Sequence, residues 1–213
     1  MRILILGASG GVGKHLLPLA AAKGHTVTAL TRAAMPLPEG ARGIVDDVLR
    51  EGCFDQHVGG HDVVLSCLGL KRSNPANPWS KLVSPTDFSS RTARALVAAM
   101  QKHKVPRVIA VSAAGVAESA PRMNLLMKFF VATSKVGDGY RDLAVMEQIY
   151  ADSGLEWCCP RPMRLTDGPP SSNVRIIDGF PMTAAISRVD VAAYMLGFVE
   201  GPIPQRLPMI TAT

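Results

Sequence analysis

The sequence predicts an α/β fold: one domain on a doubly wound parallel sheet with helices on both faces. Three observations predict it. Short apolar runs alternate along the chain with longer segments of helical periodicity, the pattern of strand–helix units around a parallel sheet. The runs are predominantly apolar, with Thr26, Thr28, Ser66 and Glu156 their polar residues, as suits strands covered on both faces. The chain has 213 residues, 47% hydrophobic and 19% charged, which suits one buried core and excludes a disordered chain.

Taken in order, Ile3 to Leu6 is a first strand that runs straight into glycines. Val12, Leu16, Leu17, Leu19 and Ala20 then place one apolar stripe on a first helix. Thr26 to Leu30, Val63 to Ser66, Val108 to Val111 and Leu155 to Cys159 are the further strands, each short and bounded by turn residues. Phe88, Thr92, Leu96, Val97 and Met100 mark a second helix, and Leu143, Met146, Ile149 and Tyr150 a third. Val189 to Val199 adds a late helix; Ser187, three residues before Asp190, is close to a capping box at its start. Two stretches break the pattern. Residues 70–87 carry Pro75, Pro78 and Pro85 around Trp79, and residues 160–185 carry Pro160, Pro162, Pro169, Pro170 and Pro181. Both follow strands, so both emerge at the carboxyl edge of the sheet, where open α/β sheets bind ligands. The chain reads as one domain over 1–213, with 160–185 as a small substrate-side lobe.

Composition removes several classes of function. The apolar run Leu125 to Ala132 is short and contains Lys128, against the ~20 residues a membrane span needs. No secretory h-region is visible, and a cytoplasmic protein is expected. Cys53, Cys67, Cys158 and Cys159 form neither a disulfide framework nor a zinc spacing, so reduced thiols and no metal are expected. The net charge is +6, but there is no block of five Lys/Arg and aromatics are 5%. That disfavours nucleic acid as a partner and suits an anionic small molecule. Met123 to Ala132 is apolar enough for an interface or a pocket wall, and a monomer and a homodimer both remain open.

The most informative segment is Gly7-Ala8-Ser9-Gly10-Gly11-Val12-Gly13, between the first strand and the first helix. Its Gly-x-x-Gly-x-x-Gly spacing suits a tight turn that lets backbone approach a pyrophosphate at a helix N-terminus. Gly13-Lys14 superficially suggests a nucleoside-triphosphate loop. That loop needs a glycine where Ala8 stands and a hydroxyl where His15 stands. Beyond the second strand, no acidic residue precedes Glu39 to hold a ribose 2′-OH; Thr31-Arg32 stands there instead. An arginine there meets a 2′-phosphate with charge-assisted hydrogen bonds of roughly 1.5–3 kcal/mol each. NADPH is therefore expected over NADH. The plainer reading of Arg32 is a solvated surface residue.

These motifs, with Asp46-Asp47-Val48, Ser66-Cys67-Leu68-Gly69, Val111-Ser112-Ala113-Ala114, Arg161-Pro162 and Ile186 to Ala192, occur in an order that resembles a known family. They resemble the atypical short-chain dehydrogenase/reductases of the NAD(P)H-binding, NmrA-like group, and within it the flavin reductases of the biliverdin reductase B type. The resemblance covers essentially the whole chain and implies a Rossmann-like domain. It further implies that Gly7, Ala8, Ser9, Gly10, Gly11 and Val12 hold the pyrophosphate. Thr31 and Arg32 would hold the adenosine ribose and its 2′-phosphate, and Asp47 and Val48 would flank adenine. Cys67, Leu68 and Gly69 would line the path to the nicotinamide ribose. Ser112, with Ala113 beside it, would lie near the nicotinamide and hydrogen-bond the carboxamide or the acceptor as the catalytic residue. Pro162 and Met163 would close over the ring.

One departure shapes the mechanism. Carbonyl-reducing relatives use a Tyr-x-x-x-Lys pair, in which the lysine lowers the tyrosine pKa for proton donation. Here Tyr140 is followed four residues later by Ala144. Leu143 and Arg164 fall where some flavin reductases carry histidines. The resemblance thus implies a reductase passing hydride from NADPH to a planar, flavin- or quinone-like acceptor that needs no strong protein acid. Arg164 or Lys71 would bind an anionic tail of that acceptor, and Trp79, Phe129 and Phe130 would offer a stacking wall, unless they are core or surface residues. A non-enzymatic NADP(H) sensor fits the missing pair equally. A sugar-nucleotide epimerase shares the glycine loop but usually keeps the Tyr/Lys pair and a larger C-terminal lobe.

Overall fold

A computed structural model describes residues 1–74, 76–171 and 173–212. Pro75, one of the prolines of the 70–87 stretch, lies outside the described residues. The main sheet contains β1 (Arg2–Leu6), β2 (Thr26–Thr31), β3 (Arg42–Val45), β4 (Val63–Ser66), β5 (Arg107–Ala110) and β6 (Glu156–Cys158). All pairings are parallel, in the spatial order β3-β2-β1-β4-β5-β6. The strand order reverses between β1 and β4, which opens a crevice at their carboxyl ends. Register makes that edge level: Leu30, Leu6, Ser66 and Ala110 lie abreast on β2, β1, β4 and β5.

The helices are α1 (Gly13–Ala22), α2 (Cys53–His57), α3 (Phe88–Lys102), α4 (Leu125–Thr133), α5 (Val136–Asp152) and α6 (Arg188–Leu196). Alternation along β1 divides the core between two faces. Ile3 and Ile5 pack with Leu16 and Leu17 of α1 and Val191 and Met195 of α6. Leu4 and Leu6 pack with Phe54 of α2, Leu96 and Met100 of α3, and Met146 and Tyr150 of α5. A run with no polar break is thus what a strand between two helical layers requires. The N-terminus of α3 is satisfied from a distance. The buried Asp142 carboxylate on α5 accepts the N–H groups of Ser89 at 2.6 Å and Ser90 at 3.0 Å.

The structure differs from the sequence reading at the margins. β5 begins at Arg107 and ends at Ala110, β6 spans Glu156–Cys158, and α6 ends at Leu196. No apolar run announces β3. It is one of the sheet's two outer strands, and with Arg42, Gly43 and Val45 exposed its sequence carries no burial signal. The 70–87 stretch is closed by strand-like bonds: Val83 N–H donates to Lys71 O at 2.8 Å and Ser73 N–H to Lys81 O at 2.9 Å. The 160–185 stretch holds β7 (Arg161–Pro162), β8 (Arg164–Thr166) and β9 (Arg175–Ile176). β8 pairs with β10 (Ala185–Ser187), while β7 and β9 flank β11 (Met209–Thr211). Ser187 caps α6 by accepting from Asp190 N–H at 3.1 Å. α4 carries no buried residue, so Met123 to Ala132 includes an exposed helix.

Candidate active site

Topology alone orders the carboxyl edge. Thr31-Arg32 follows or ends β2, the glycine loop follows β1, Cys67 to Gly69 follows β4, and Ser112 follows β5. Neighbouring strands lie about 4.8 Å apart, so this row spans roughly 14 Å from β2 to β5. A cleft of about 630 Å³ occupies it.

The glycine loop is shaped by contacts that exclude side chains. Gly7 has φ +72°, and a Cβ there would stand 2.9 Å from the carbonyl oxygen of Cys67. A Cβ on Gly13 would meet the oxygen of Gly7 at 2.2 Å. These positions hold the loop tight against β4 and let α1 start beside it. No side chain caps α1, and its first turn contains no acid. The positive end of its dipole is thus left for an anion. The residues present therefore fit a dinucleotide: backbone and helix terminus for the diphosphate, and the apolar Val48 and cationic Arg32 toward the β2 side.

Of the residues singled out in the sequence, Gly7, Ser9, Gly10, Gly11, Val12, Thr31, Arg32, Val48, Cys67, Leu68, Gly69 and Ser112 line the cleft. Ala8 does not, because it is fully buried beneath the loop. Asp47 is turned outward, its Oδ1 accepting the N–H of Leu49 at 2.9 Å. Its neighbour Asp46 lines the cleft instead. Ala113, Pro162 and Met163 are not among the lining residues. Pro162 and Met163 are drawn into the lobe, where Pro162 O accepts Ala114 N–H at 3.1 Å and Met163 N–H donates to Ile210 O at 3.0 Å. Leu165 reaches the cleft from that lobe. Neither Arg164 nor Trp79, Phe129 or Phe130 lines it. Trp79 and Phe130 pack on each other, ring centroids 5.8 Å apart, and Phe129 is exposed.

Ser112 is buried at the cleft floor and donates through Oγ to Glu147 Oε1 at 2.6 Å. Glu147 in turn accepts from Arg161 Nε at 2.8 Å and Nη2 at 2.6 Å. Arg161 is 1% exposed and also binds Glu118, with Nη2 to Oε2 at 3.0 Å. Burial disfavours the Arg161 charge, but Glu147 and Glu118 outweigh it and hold the guanidinium protonated. The same guanidinium holds the Glu118 carboxyl below the usual range. Because its proton is committed to Glu147, Ser112 presents lone pairs to the cleft and acts there as an acceptor.

Two further groups can be assigned a state. Burial pushes the Cys67 thiol up to about 12, so it stays protonated near neutral pH. Burial also raises the Tyr140 hydroxyl above its ordinary value. This is the reverse of what a neighbouring lysine does for a tyrosine acid, and the residue four positions after Tyr140 is Ala144.

Sequence reasoning missed Arg188 and Asp46. The Arg188 Nε stands 2.7 Å from where a Gly11 Cβ would be, so its side chain lies on the glycine loop. Only its place after Ser187 in the segment Ile186 to Ala192 signalled it. Asp46 is held by Arg50 and accepts from His57 Nε2 at 2.8 Å when that nitrogen carries the proton. Asp46, Cys53 and His57 bring ligand-type atoms within 4.8 Å of one another. Arg50 is bound to the same carboxylate, and burial pushes the Cys53 thiol up to about 11. The cluster therefore works as an ion-pair network at the end of β3.

Comparisons with known proteins give the family and the fold. A profile of the NAD(P)H-binding family matches residues 7–202. A 3-diazoavenalumate denitrifying reductase from Streptomyces sp is 32% identical over 120 residues, which is 54% of this chain and 40% of that protein. The chain thus spans about two fifths of the length of that curated relative. An anaerobillin reductase from Escherichia coli O157:H7 superposes with a TM-score of 0.78 at 21% identity, over 100% of this chain and 97% of that one. A Streptococcus pneumoniae protein described as a candidate NADH-flavin reductase superposes at 0.75 with 18% identity, covering 100% of both chains. A Bacillus halodurans protein described as a candidate NAD-dependent epimerase/dehydratase gives 0.78 at 21%, over 100% of this chain and 94% of that one. At such identities the likeness is one of fold.

Proposed function

The chain belongs to the NAD(P)H-binding family, and from that premise we propose that it is an NADPH-dependent reductase acting on a planar, flavin- or quinone-like acceptor. The observation that carries the reading is the cleft itself. At one end it has Arg32 and the uncapped α1; at the other, an apolar wall with cations at its rim.

When bound, the nicotinamide supplies the hydride. The rest is done by the chain's own residues. The glycine loop and the α1 terminus bind the diphosphate, with Arg188 lying on that loop. Thr31 and Arg32 hold the adenosine ribose, Arg32 selecting the 2′-phosphate. Val48 flanks adenine, and Cys67, Leu68 and Gly69 line the way to the nicotinamide ribose. Ser112 accepts a hydrogen bond from the carboxamide or acceptor, oriented by Glu147. Leu68, Leu70, Leu82, Phe88 and Leu143 exclude water and suit a flat apolar acceptor. Lys71, Arg72 and Lys135 line the same wall and would meet an anionic tail. Tyr140 is poorly suited to give a proton, so the acceptor must delocalise the arriving charge and take its proton from water.

The test is loss of dihydronicotinamide absorbance, with NADPH and NADH in parallel, against FMN, a quinone and a plain aldehyde. The expected result is turnover with NADPH and FMN or quinone, and none with the aldehyde. Tight NADPH binding with no turnover on any acceptor would replace the reductase by a redox sensor.

A further inference from the structure

The whole net charge of the chain resides in two segments. Residues 63–86 contain Lys71, Arg72 and Lys81 and no carboxylate; residues 119–137 contain Arg122, Lys128 and Lys135 and none either. The chain has 23 basic and 17 acidic residues, so taking away these six bases leaves 17 of each. The fold brings the two segments together. Lys135 N–H donates to Pro78 O at 3.1 Å, and Trp79 meets Phe130 edge-on.

Between the bases lies apolar surface that the molecule leaves uncovered. On α4, Leu125 is 84% exposed, Leu126 65% and Phe129 66%. Met182, 72% exposed, stands at the start of this helix with its sulfur 3.1 Å from Asn124 Nδ2, and Trp79 is 57% exposed. Isolated exposed leucines are ordinary; a contiguous cluster on one helix is not. No helix among the described residues is long and apolar enough to cross a membrane. Leucine and phenylalanine beside bases, with a tryptophan at the rim, are instead the composition of a helix lying in a lipid interface.

Charge selects between occupants. A second copy docked about a two-fold axis would set this basic face against itself. A polynucleotide would meet the bases and leave the leucines in water. An anionic bilayer meets both: its surface potential attracts the bases and its acyl boundary takes the apolar side chains. Arg122 lies near Asp178 at 3.7 Å and Lys135 near Asp138 at 3.4 Å. Exposed pairs of that kind are weak and exchange readily.

We propose that this face docks reversibly on an anionic membrane surface. α4 lays Leu125, Leu126 and Phe129 into the headgroup boundary while Lys81, Arg122 and Lys128 meet lipid phosphates. Because Lys71, Arg72 and Lys135 also line the cleft, docking would bring its mouth toward the bilayer. The delivery of a lipid-dissolved acceptor that follows, unlike the docking, rests on the reductase reading.

The test is sedimentation of the full chain with phosphatidylcholine vesicles containing phosphatidylserine, and with pure phosphatidylcholine. It compares the wild type with a Leu125→Ser, Phe129→Ser variant. Both side chains are exposed, so the variant should melt like the wild type. The wild type should sediment with the anionic vesicles, bind the neutral ones at least roughly tenfold more weakly, and be released by high salt. The double variant should lose roughly tenfold in binding. No sedimentation with anionic vesicles, or equal binding by the variant, overturns the proposal. So does a wild-type dimer in analytical ultracentrifugation that the two serines dissociate, which would make this face a contact between copies. The readout needs no turnover, so its failure is separable from failure of the reductase reading.

Discussion

The two sides of the cleft are built on different principles. The cofactor side is local: a strand, a six-residue glycine loop and a helix start, consecutive in the chain and shaped by backbone contacts. The floor beneath Ser112 is assembled from afar. Ser112 is tied to Glu147 across 35 positions, and Arg161 to Glu118 across 43. A site made by backbone turns is written in residue types at fixed spacing. A site made by buried ion pairs is written only in the fold.

The largest expected effect breaks the second side. Arg161→Ala would leave Glu147 buried with its charge unpaired, and removing one partner of a buried pair costs about 3–5 kcal/mol. Urea denaturation should show that loss, or a chain that no longer folds. A fall below about 1 kcal/mol would mean that the floor tolerates rearrangement and that the contrast is overstated. Next comes the cofactor side. Arg32→Ala should weaken NADPH binding by about 1.5–3 kcal/mol, roughly ten- to hundredfold, and leave NADH unchanged. Equal affinities before and after the substitution, measured by fluorescence titration, would remove the 2′-phosphate argument.

The same contrast explains what was legible. β1 and β4 were readable because strands covered on both faces are predominantly apolar, and β2 was readable from Val27, Ala29 and Leu30 in spite of its buried Thr28. α3 and α5 were readable from one stripe each. β3 was not, since an outer strand exposes Arg42 and Gly43. The glycine loop was legible as a spacing, and all of Gly7 to Val12 but the buried Ala8 line the cleft; at the next group the lining residue is one position from the expected one. Asp46 lines the cleft while Asp47 turns to its own Asx bond, a choice made by a local turn and not by residue type. Pro162 and Met163 were expected over the nicotinamide. Pairing with β11, some 48 positions downstream by the Arg161–Met209 register, draws them into the lobe instead. Pairings of that range leave no periodic trace.

The smallest expected effect sharpens the contrast by holding chemistry constant and changing solvent. Arg2 and Asp62 pair across 60 positions, with Nη2 to Oδ1 at 2.6 Å, and Asp62 Oδ2 also accepts the Arg2 N–H at 2.7 Å. The partners match those of Arg161 and Glu147, and the sequence separation is greater. Here, however, the arginine side chain is 58% exposed, against 1% for Arg161. The Arg2 side-chain and backbone hydrogen bonds lower the Asp62 carboxyl to about 2, from an unfolded value near 3.8. A depressed folded pKa stabilises above the unfolded value, and the contribution is lost as pH falls through the window between the two. Solvent screening limits it to at most about 1 kcal/mol. Asp62→Asn should therefore lower stability slightly at neutral pH, with the gap to wild type closing between about pH 4 and pH 2. A gap as large as that of Arg161→Ala would make sequence-distant pairing, and not burial, the source of the strength beneath Ser112.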